Sequence, residues 1–166
     1  MSFRIVTDSK DISITEWEDF VKKHQNGNIF QTPSMYFALK STKRFDPLLL
    51  AIVDGDNKLL GILVAQIQRQ LNGFFGNYTS RSVILGGPIV KDDNILKIIL
   101  QEYGKLIDRK VIYSQIRNFW DQKNKINIFT EYGFNYDEHL NILVDLSVGQ
   151  DALWANLDNQ RQKGIR

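Results

Sequence analysis

The chain has 166 residues, 43% of them hydrophobic and 24% charged, which is typical of a globular domain with its own core and excludes a disordered chain. The net charge of +2 predicts no general attraction to nucleic acid or to an anionic membrane. Cysteine is absent, and His24 and His139 lack metal-ligand spacing, so the sequence predicts neither disulfides nor a metal site. No apolar run reaches membrane-spanning length, and we expect a cytoplasmic protein without a membrane span.

The N-terminal part of the sequence predicts a short strand followed by two helices. Apolar and polar residues alternate over residues 3–6, as in a strand. Thr15 and Glu18 have the spacing of a capping box, which predicts the start of the first helix. A threonine–proline pair at residues 32–33 predicts the start of a second helix, which extends to Lys40.

Three strands are predicted in the middle of the chain. Residues 47–53 form a continuous apolar run, which is typical of a strand buried on both faces. The composition of residues 54–57 predicts a hairpin turn, and residues 58–70 are the answering strand. The loop over residues 71–81 is rich in glycine and aromatic residues, and we interpret it as cover for an edge of the core. Residues 82–89 are the third strand.

Helices and strands alternate in the C-terminal part of the sequence. Asp92 or Asp93 is predicted to cap a helix with a broad apolar face. The elements predicted after it are a strand at 110–116, a helix at 121–132, a strand at 139–146 and a last helix on which Trp154 packs. The three neighbouring strands with turn connections should be antiparallel, whereas the strand–helix–strand units after them should be parallel. The order therefore predicts a mixed sheet with helices on both faces.

This order of elements resembles the acyltransferase fold of the GNAT superfamily. The stretches NIFQTPSMYFALK, ILGGPIVKDD, IYSQIRN and NILVDLSVGQDALWANLDNQRQKGIR occur in an order and spacing similar to the Fem family of aminoacyltransferases. The resemblance implies an α/β (α+β) GNAT-like acyl-CoA N-acyltransferase fold, and transfer of an amino acid from aminoacyl-tRNA to a cell-wall peptide precursor. Fem proteins resemble two fused GNAT-like domains, and this chain stops within a basic helical segment. We therefore expect residues 1–166 to be one GNAT-like domain, the N-terminal half of a longer protein or a truncated chain.

The segment Gly86-Gly87-Pro88 stands where acetyl-CoA enzymes of this fold hold the cofactor pyrophosphate. Backbone N–H groups and a helix N-terminus bind it there, but Pro88 has no N–H group. Asp92 and Asp93 also place negative charge where the phosphates would lie. We therefore expect no tightly bound cofactor, with aminoacyl-tRNA as the donor and acetyl-CoA less favoured. The two glycines are interpreted as residues with a backbone role.

Two cations, one at the end of the second predicted helix and one within the last six residues, are predicted substrate-binding residues. By the resemblance, Lys40 ends the second-helix motif that binds a phosphate of the nucleotide- or lipid-linked precursor. Arg161 matches a phosphate-binding arginine of the family, and a guanidinium can grip phosphate in a bidentate fork. The alternative for Lys40 is a solvated lysine at a helix end, and for Arg161 it is favourable charge at a helix C-terminus.

Two further residues, Tyr113 and Arg117, are predicted to close the fifth strand beside the ligand crevice. Tyrosine can donate a hydrogen bond to a developing oxyanion. Many Fem proteins have an aspartate–proline pair where this chain has Arg117-Asn118, and an arginine there suits an anionic acceptor. The alternative is an ordinary strand end. No motif identifies a catalytic residue.

The sequence is compatible with three functions. The first is an aminoacyltransferase domain that acts on an amine of a cell-envelope precursor. The second is an amino-sugar N-acyltransferase of surface polysaccharide synthesis, with an acyl-CoA donor. The third is a non-catalytic module that binds an envelope glycan or nucleotide-sugar.

Overall fold

The computed structural model describes residues 3–43, 45–69, 80–140, 142 and 144–165. Contacts divide the chain into two compact units, Met1–Tyr136 and Asp137–Arg166, which are described separately. The aromatic part of the predicted loop, residues 71–79, lies outside the described residues. Within the described ranges, no helix has the length and apolar character required to cross a membrane.

The first unit contains six strands and four helices in the described part of the chain. The strands are β1 (Phe3–Val6), β2 (Phe45–Asp54), β3 (Leu59–Arg69), β4 (Ser80–Leu85), β5 (Ile89–Val90) and β6 (Tyr113–Arg117). The helices are α1 (Ile14–Lys23), α2 (Pro33–Lys40), α3 (Asp93–Ile107) and α4 (Ile126–Glu131). The predicted strand at 110–116 therefore begins later, and the predicted helix at 121–132 is shorter.

The strands form one mixed sheet in the order β1-β2-β3-β4-β6, with β5 paired to β3. The strands β2, β3 and β4 pair antiparallel in chain order, and β1 pairs antiparallel with β2 although α1 and α2 lie between them along the chain. β4 and β6 are parallel, with α3 as the crossover between them. This confirms the predicted mixed sheet, the antiparallel directions predicted for β2, β3 and β4, and the parallel direction predicted across α3. β4 and β5 together take the place of the single strand predicted at 82–89.

Side chains alternate between two cores, one on each face of the sheet. On one face, Trp17 of α1 and Tyr36 of α2 pack against buried strand residues such as Val64. On the other face, Ile99 and Tyr103 of α3 pack against residues such as Ile84. The predicted arrangement, with helices on both faces, is confirmed. We call the two sides the α1/α2 face and the α3 face.

The helix starts follow from side-chain caps. The hydroxyl of Thr32 accepts a hydrogen bond from the N–H of Met35, as the threonine–proline signal predicts. At α1 the predicted capping box is wrong by two positions, because Ser13, not Thr15, accepts from the N–H of Glu16. Both pairs have the same spacing, so the pattern alone does not distinguish them.

The second unit consists of an extended segment and two short helices, α5 (Gln150–Ala155) and α6 (Asn159–Ile165). The strand predicted at 139–146 is wrong, because the described residues of that segment form no strand. Leu140 and Ile142 are 97% and 92% exposed. Trp154 of α5 is half-buried, not the core residue that the helical spacing predicts. A shallow hollow of about 460 Å³ in this unit is lined by Val144, Asp145, Val148, Leu153, Asn156 and Leu157.

Candidate functional site

The parallel strands β4 and β6 part at their carboxyl ends. Their register ends with Leu85 opposite Arg117, and the N–H of Gly86 donates the last hydrogen bond, 2.8 Å, to the carbonyl of Arg117. The chain then turns away from β6, and β5 pairs with β3 opposite Gly61 and Ile62. Ligands of open α/β sheets bind where the carboxyl ends of neighbouring strands diverge, so this place is the candidate site.

Gly86 makes the turn that separates the two strands. Its φ of +58° lies in the left-handed region, which side chains disfavour. A Cβ at this position would lie 2.6 Å from the side chains of Asn28 and Phe119. The amide of Asn28 donates a hydrogen bond to the carbonyl of Gly86 and so fixes the turn from the α1–α2 connection. The backbone role expected for this glycine is therefore observed.

The side-chain amide of Gln31 is inserted between β3 and β4 next to the end of their pairing, beyond the register pair Gln66 and Val83. Its Nε2 donates to the carbonyls of Val64 (3.2 Å) and Leu85 (2.8 Å), and its Oε1 accepts from the N–H of Val64 (2.8 Å). Gln31 is fully buried, and Trp17 Nε1 donates to its backbone carbonyl at 2.7 Å. The amide therefore takes the place of a backbone partner, so β4 can leave the sheet without unpaired buried groups.

On the α3 face, a buried hydroxyl cluster joins the two parallel strands. The phenol oxygen of Tyr103 lies 2.7 Å from the hydroxyl oxygens of both Ser82 and Ser114, which are register partners on β4 and β6. Burial raises the pKa of Tyr103 above its ordinary value, although the two serine hydroxyls oppose that shift. The cluster holds the strands together before the point at which they part.

On the α1/α2 face, polar side chains extend across β3, β4 and β6, from the amino ends of β4 and β6 to the point where these two strands part. Alternation and register place them there. We call this set the polar row; its members are Gln66, Gln68, Arg81, Tyr113, Gln115 and Arg117.

Two of the four predicted substrate-binding residues, Tyr113 and Arg117, belong to the polar row. Arg117 ends β6 and is exposed, and its Nη2 donates to Gln115 Oε1 at 3.1 Å. The prediction that Tyr113 closes the strand is wrong, because Tyr113 begins β6. Its phenol oxygen instead accepts from Arg81 Nη1 at 3.4 Å, at the amino ends of the strands.

The other two predicted residues, Lys40 and Arg161, belong to different units. Lys40 is exposed in the last turn of α2, with its Nζ 5.6 Å from the ring centroid of Tyr36. Arg161 is exposed on α6, and its backbone N–H donates to Asp158 Oδ1. The phosphate-binding role of both residues stays a prediction.

The N-terminus of α3 carries its own negative cap, as predicted. Asp92 Oδ1 accepts hydrogen bonds of 3.0 Å from the N–H groups of Asn94 and Ile95. Lys125 Nζ lies 3.0 Å from Asp93 Oδ1. These N–H groups are the ones that a pyrophosphate would need, so the residues present do not fit a coenzyme A pyrophosphate at this helix.

An aromatic group lies beside the Gly86 turn. Phe119 packs against Phe30 and Trp120, with ring centroids 5.5 Å and 6.2 Å away. Trp120 also packs against the core of the α1/α2 face, and its buried Nε1 has no hydrogen-bond partner among the described residues. This indole N–H is a donor left over beside the site.

The sequence interpretation missed Gln31 and Gln66. Gln31 lies within the NIFQTPSMYFALK stretch, but its partners are 33 and 54 positions away along the chain. Alternation over β3 places Gln66 on a buried face, and a glutamine at such a position is the signal that could have identified it.

The sheet order, the single crossover through α3 and the parting parallel pair define the class: the chain has the GNAT acyltransferase fold, a mixed sheet with α+β organisation. No family model matches the sequence, and no curated protein matches it significantly. Fifty solved chains match its fold.

Three of these structures are N-acetyltransferases. Aminoglycoside 6'-N-acetyltransferase AAC(6')-Ih from Acinetobacter baumannii is 12% identical, with 87% of this chain and 98% of that chain covered and a TM-score of 0.58. Glucosamine-6-phosphate N-acetyltransferase from Arabidopsis thaliana is 13% identical, with 87% and 100% covered and a TM-score of 0.57. Aminoglycoside N-acetyltransferase AAC(6')-Iy, solved in complex with CoA, is 13% identical, with 87% and 95% covered and a TM-score of 0.55. At these identities the likeness shows the fold alone.

Proposed function

We propose that this chain is a GNAT-like domain of an N-acyltransferase that moves an aminoacyl group from an ester donor, aminoacyl-tRNA, to an amine on a nucleotide- or lipid-linked cell-envelope precursor. The observation that carries the proposal is the parting of β4 and β6 next to Arg117, on a face that also holds Arg81 at the amino ends of these strands. A second GNAT-like domain after residue 166 belongs to this proposal. Charged tRNA and nucleotide-linked precursors are cytoplasmic, and so is the proposed reaction.

In the proposed reaction, the main task of the protein is to position the acceptor amine and the donor ester. The acceptor amine attacks the ester carbonyl, a C–N bond forms, the C–O bond to the ribose breaks, and the proton of the amine passes to the leaving hydroxyl. An ester is already an activated electrophile, so orientation of the amine and stabilisation of the tetrahedral oxyanion supply most of the acceleration. In the proposal, Arg117 holds the anionic acceptor beside the parting strands.

The N-terminus of α3 is the reason for proposing a donor other than acetyl-CoA. Asp92 occupies the N–H groups of Asn94 and Ile95 and adds negative charge there, which disfavours a coenzyme A pyrophosphate. We expect calorimetry to detect no binding of coenzyme A at millimolar concentration. Coenzyme A binding in the micromolar range would refute this part of the proposal.

The acceptor is tested by binding of a UDP-linked muropeptide. We expect the chain to bind it and Lys40→Ala to weaken the binding about tenfold, because one phosphate contact is lost. Lys43→Ala is the matched control, since Lys43 is an exposed lysine three positions further along. Equal loss in both variants would show that only net charge matters, and Lys40 would then have no specific role. Arg161→Ala tests the second predicted phosphate contact in the same way.

Transfer is measured by mass spectrometry of the muropeptide after incubation with charged tRNA, using the chain joined to whatever sequence follows residue 166. Appearance of an aminoacylated product supports the proposal. Binding of the muropeptide without transfer from any charged tRNA or acyl-CoA refutes it in favour of a non-catalytic recognition module.

An amino-sugar N-acyltransferase is the second candidate. It is favoured by the similarity in fold to a glucosamine-6-phosphate N-acetyltransferase over 87% of this chain. Acetylation of an amino sugar with acetyl-CoA, together with coenzyme A binding, would establish it in place of the first proposal.

A further inference from the structure

Arg81 of the polar row is held in place by two other members, Gln68 and Tyr113. Arg81 Nε donates to Gln68 Oε1 at 2.9 Å, and Arg81 Nη1 donates to the phenol oxygen of Tyr113 at 3.4 Å. A guanidinium has five N–H donors in a fixed fork, so the remaining donors of Arg81 are available and already oriented. Such a fork binds carboxylate or phosphate in a bidentate manner.

Gln66 lies two residues before Gln68 on β3. Its residue is only 8% exposed, and its side-chain amide forms no hydrogen bond within the part of the chain that the structure describes. Among the described residues, the buried side-chain polar atom without a partner is Trp120 Nε1, so the amide atoms of Gln66 keep contact with solvent and are open to a ligand. A ligand with hydroxyl or amide groups would satisfy this amide.

The charge of the row selects the kind of ligand. Its only charged members are Arg81 and Arg117, and none of the six is acidic. Tyr113 and Arg117 are exposed, so ligands can reach the row at β6. The two arginines are four residues apart in register, about 13 Å along the strands at about 3.3 Å per residue. A polycationic amine would meet two positive charges without a compensating carboxylate, whereas an anionic ligand would be attracted.

We propose that the polar row is the acceptor-binding surface, that it selects an anionic amine rich in hydroxyl or amide groups over a polycationic one, and that Gln66 is a specificity-determining residue that contacts those neutral groups. This inference rests on the proposed function only where it calls the ligand the acceptor of the reaction. Ligand binding itself is measured without a donor. Acyl transfer and acceptor selection can therefore fail independently.

The ligand test uses calorimetry with three probes: glucosamine 1-phosphate, glucosamine and the polycationic aminoglycoside kanamycin. We expect glucosamine 1-phosphate to bind about tenfold more tightly than glucosamine, because only the former offers an anion to Arg81. Kanamycin should not compete. Equal binding of the two amino sugars, tighter binding of kanamycin, or no binding of any probe at millimolar concentration would overturn the proposal.

The residue test uses Gln66→Leu, which removes the unpaired amide at similar volume. We expect Tm to rise by about 2–4 °C while the Kd for glucosamine 1-phosphate increases about tenfold. A residue with a packing role alone would not show this combination of effects. Gln101→Leu, at an exposed position of α3, is the matched control and should leave the Kd unchanged. A fall in Tm, or an unchanged Kd, would overturn the assignment of Gln66.

A second variant tests the arginine fork. Arg81→Lys keeps the charge but loses the two-pronged geometry and the bond to Gln68, and we expect it to weaken glucosamine 1-phosphate binding about tenfold. Binding by the lysine variant at the wild-type level would contradict the bidentate contact. If the row binds glucosamine 1-phosphate as expected but no acyl transfer occurs, the proposed function fails and this inference stands. If transfer occurs, and the Gln66→Leu and Arg81→Lys variants transfer at the wild-type rate, the proposed function stands and this inference fails.

Discussion

Replacement of Gln31 by leucine tests whether one side chain maintains the gap between β3 and β4. Three backbone groups depend on the Gln31 amide: the N–H and the carbonyl of Val64, and the carbonyl of Leu85. A buried backbone group that loses its partner destabilises a fold by about 1–3 kcal/mol. Three such groups at the lower end of that range give about 3 kcal/mol for Gln31→Leu, since the added apolar burial offsets part of the loss. This is a large fraction of the stability of a domain of this size.

The loss is measured by urea unfolding followed by circular dichroism. A loss of 3 kcal/mol corresponds to a fall in Tm of about 6–12 °C at this chain length. The matched control is Gln25→Leu, an exposed glutamine in the same connection between α1 and α2, which should change the free energy of unfolding by less than about 0.5 kcal/mol. If Gln31→Leu is as stable as the control, the three hydrogen bonds do not support the strand separation and the reasoning is refuted.

Two further predictions concern the turn and the buried phenol. Gly86→Ala should lower the free energy of unfolding by about 1–3 kcal/mol, because φ at this position is positive and the new Cβ would lie 2.6 Å from the side chain of Asn28. Gly104→Ala on α3 is the control: a Cβ there has free space, so this variant should be slightly more stable than wild type. The urea midpoints of the two variants check both expectations, and equal midpoints would contradict the strain argument. Tyr103 has a pKa raised above 10.0 by burial, so its contribution is fully present below pH 10 and is lost as the pH rises through the folded-state pKa. Tyr103→Phe should therefore be less stable at pH 7 but lose less stability above pH 10, and a parallel decline of both proteins in alkaline unfolding curves would argue against this account.

The fold was largely predictable because its signals are local or periodic. The cap at Asp92, the threonine–proline start of α2 and the buried run of β2 each depend on residues within one turn or strand. Their order then leaves few topologies, because crossovers between parallel strands are constrained in handedness and length. The directions of the pairs β2–β3, β3–β4 and β4–β6 followed from the kind of connection between the strands.

The strand predicted at 139–146 shows the limit of periodicity. Leu140, Ile142 and Val144 alternate as in a half-buried strand, yet all three are exposed. Alternation states which side a strand would bury, but a strand also requires a neighbour whose backbone groups it can pair with. The local pattern does not contain that information.

The candidate site was predicted only in part, for a related reason. Arg117 was identified because it follows a strand, and the end of a strand is visible in the sequence. Gln31 was not identified, since its importance depends on which backbone groups lie beside it in space, and Gln66 was not identified because its role depends on the side chains of neighbouring strands. Tyr113 was assigned to the wrong end of β6 because the strand begins three residues later than the apolar run indicates.

The turn over residues 28–31 fixes two adjacent carbonyl groups at the place where β4 ends. Asn28 reaches the carbonyl of Gly86, and Gln31 reaches the carbonyl of Leu85, the residue immediately before it. Surface connections usually accept extra residues with little penalty. Here one residue inserted between Asn28 and Gln31 would move one of their side-chain amides away from its carbonyl partner while the other amide stayed in place. The length of this connection should therefore be as restricted as a core position, although most of it lies at the surface.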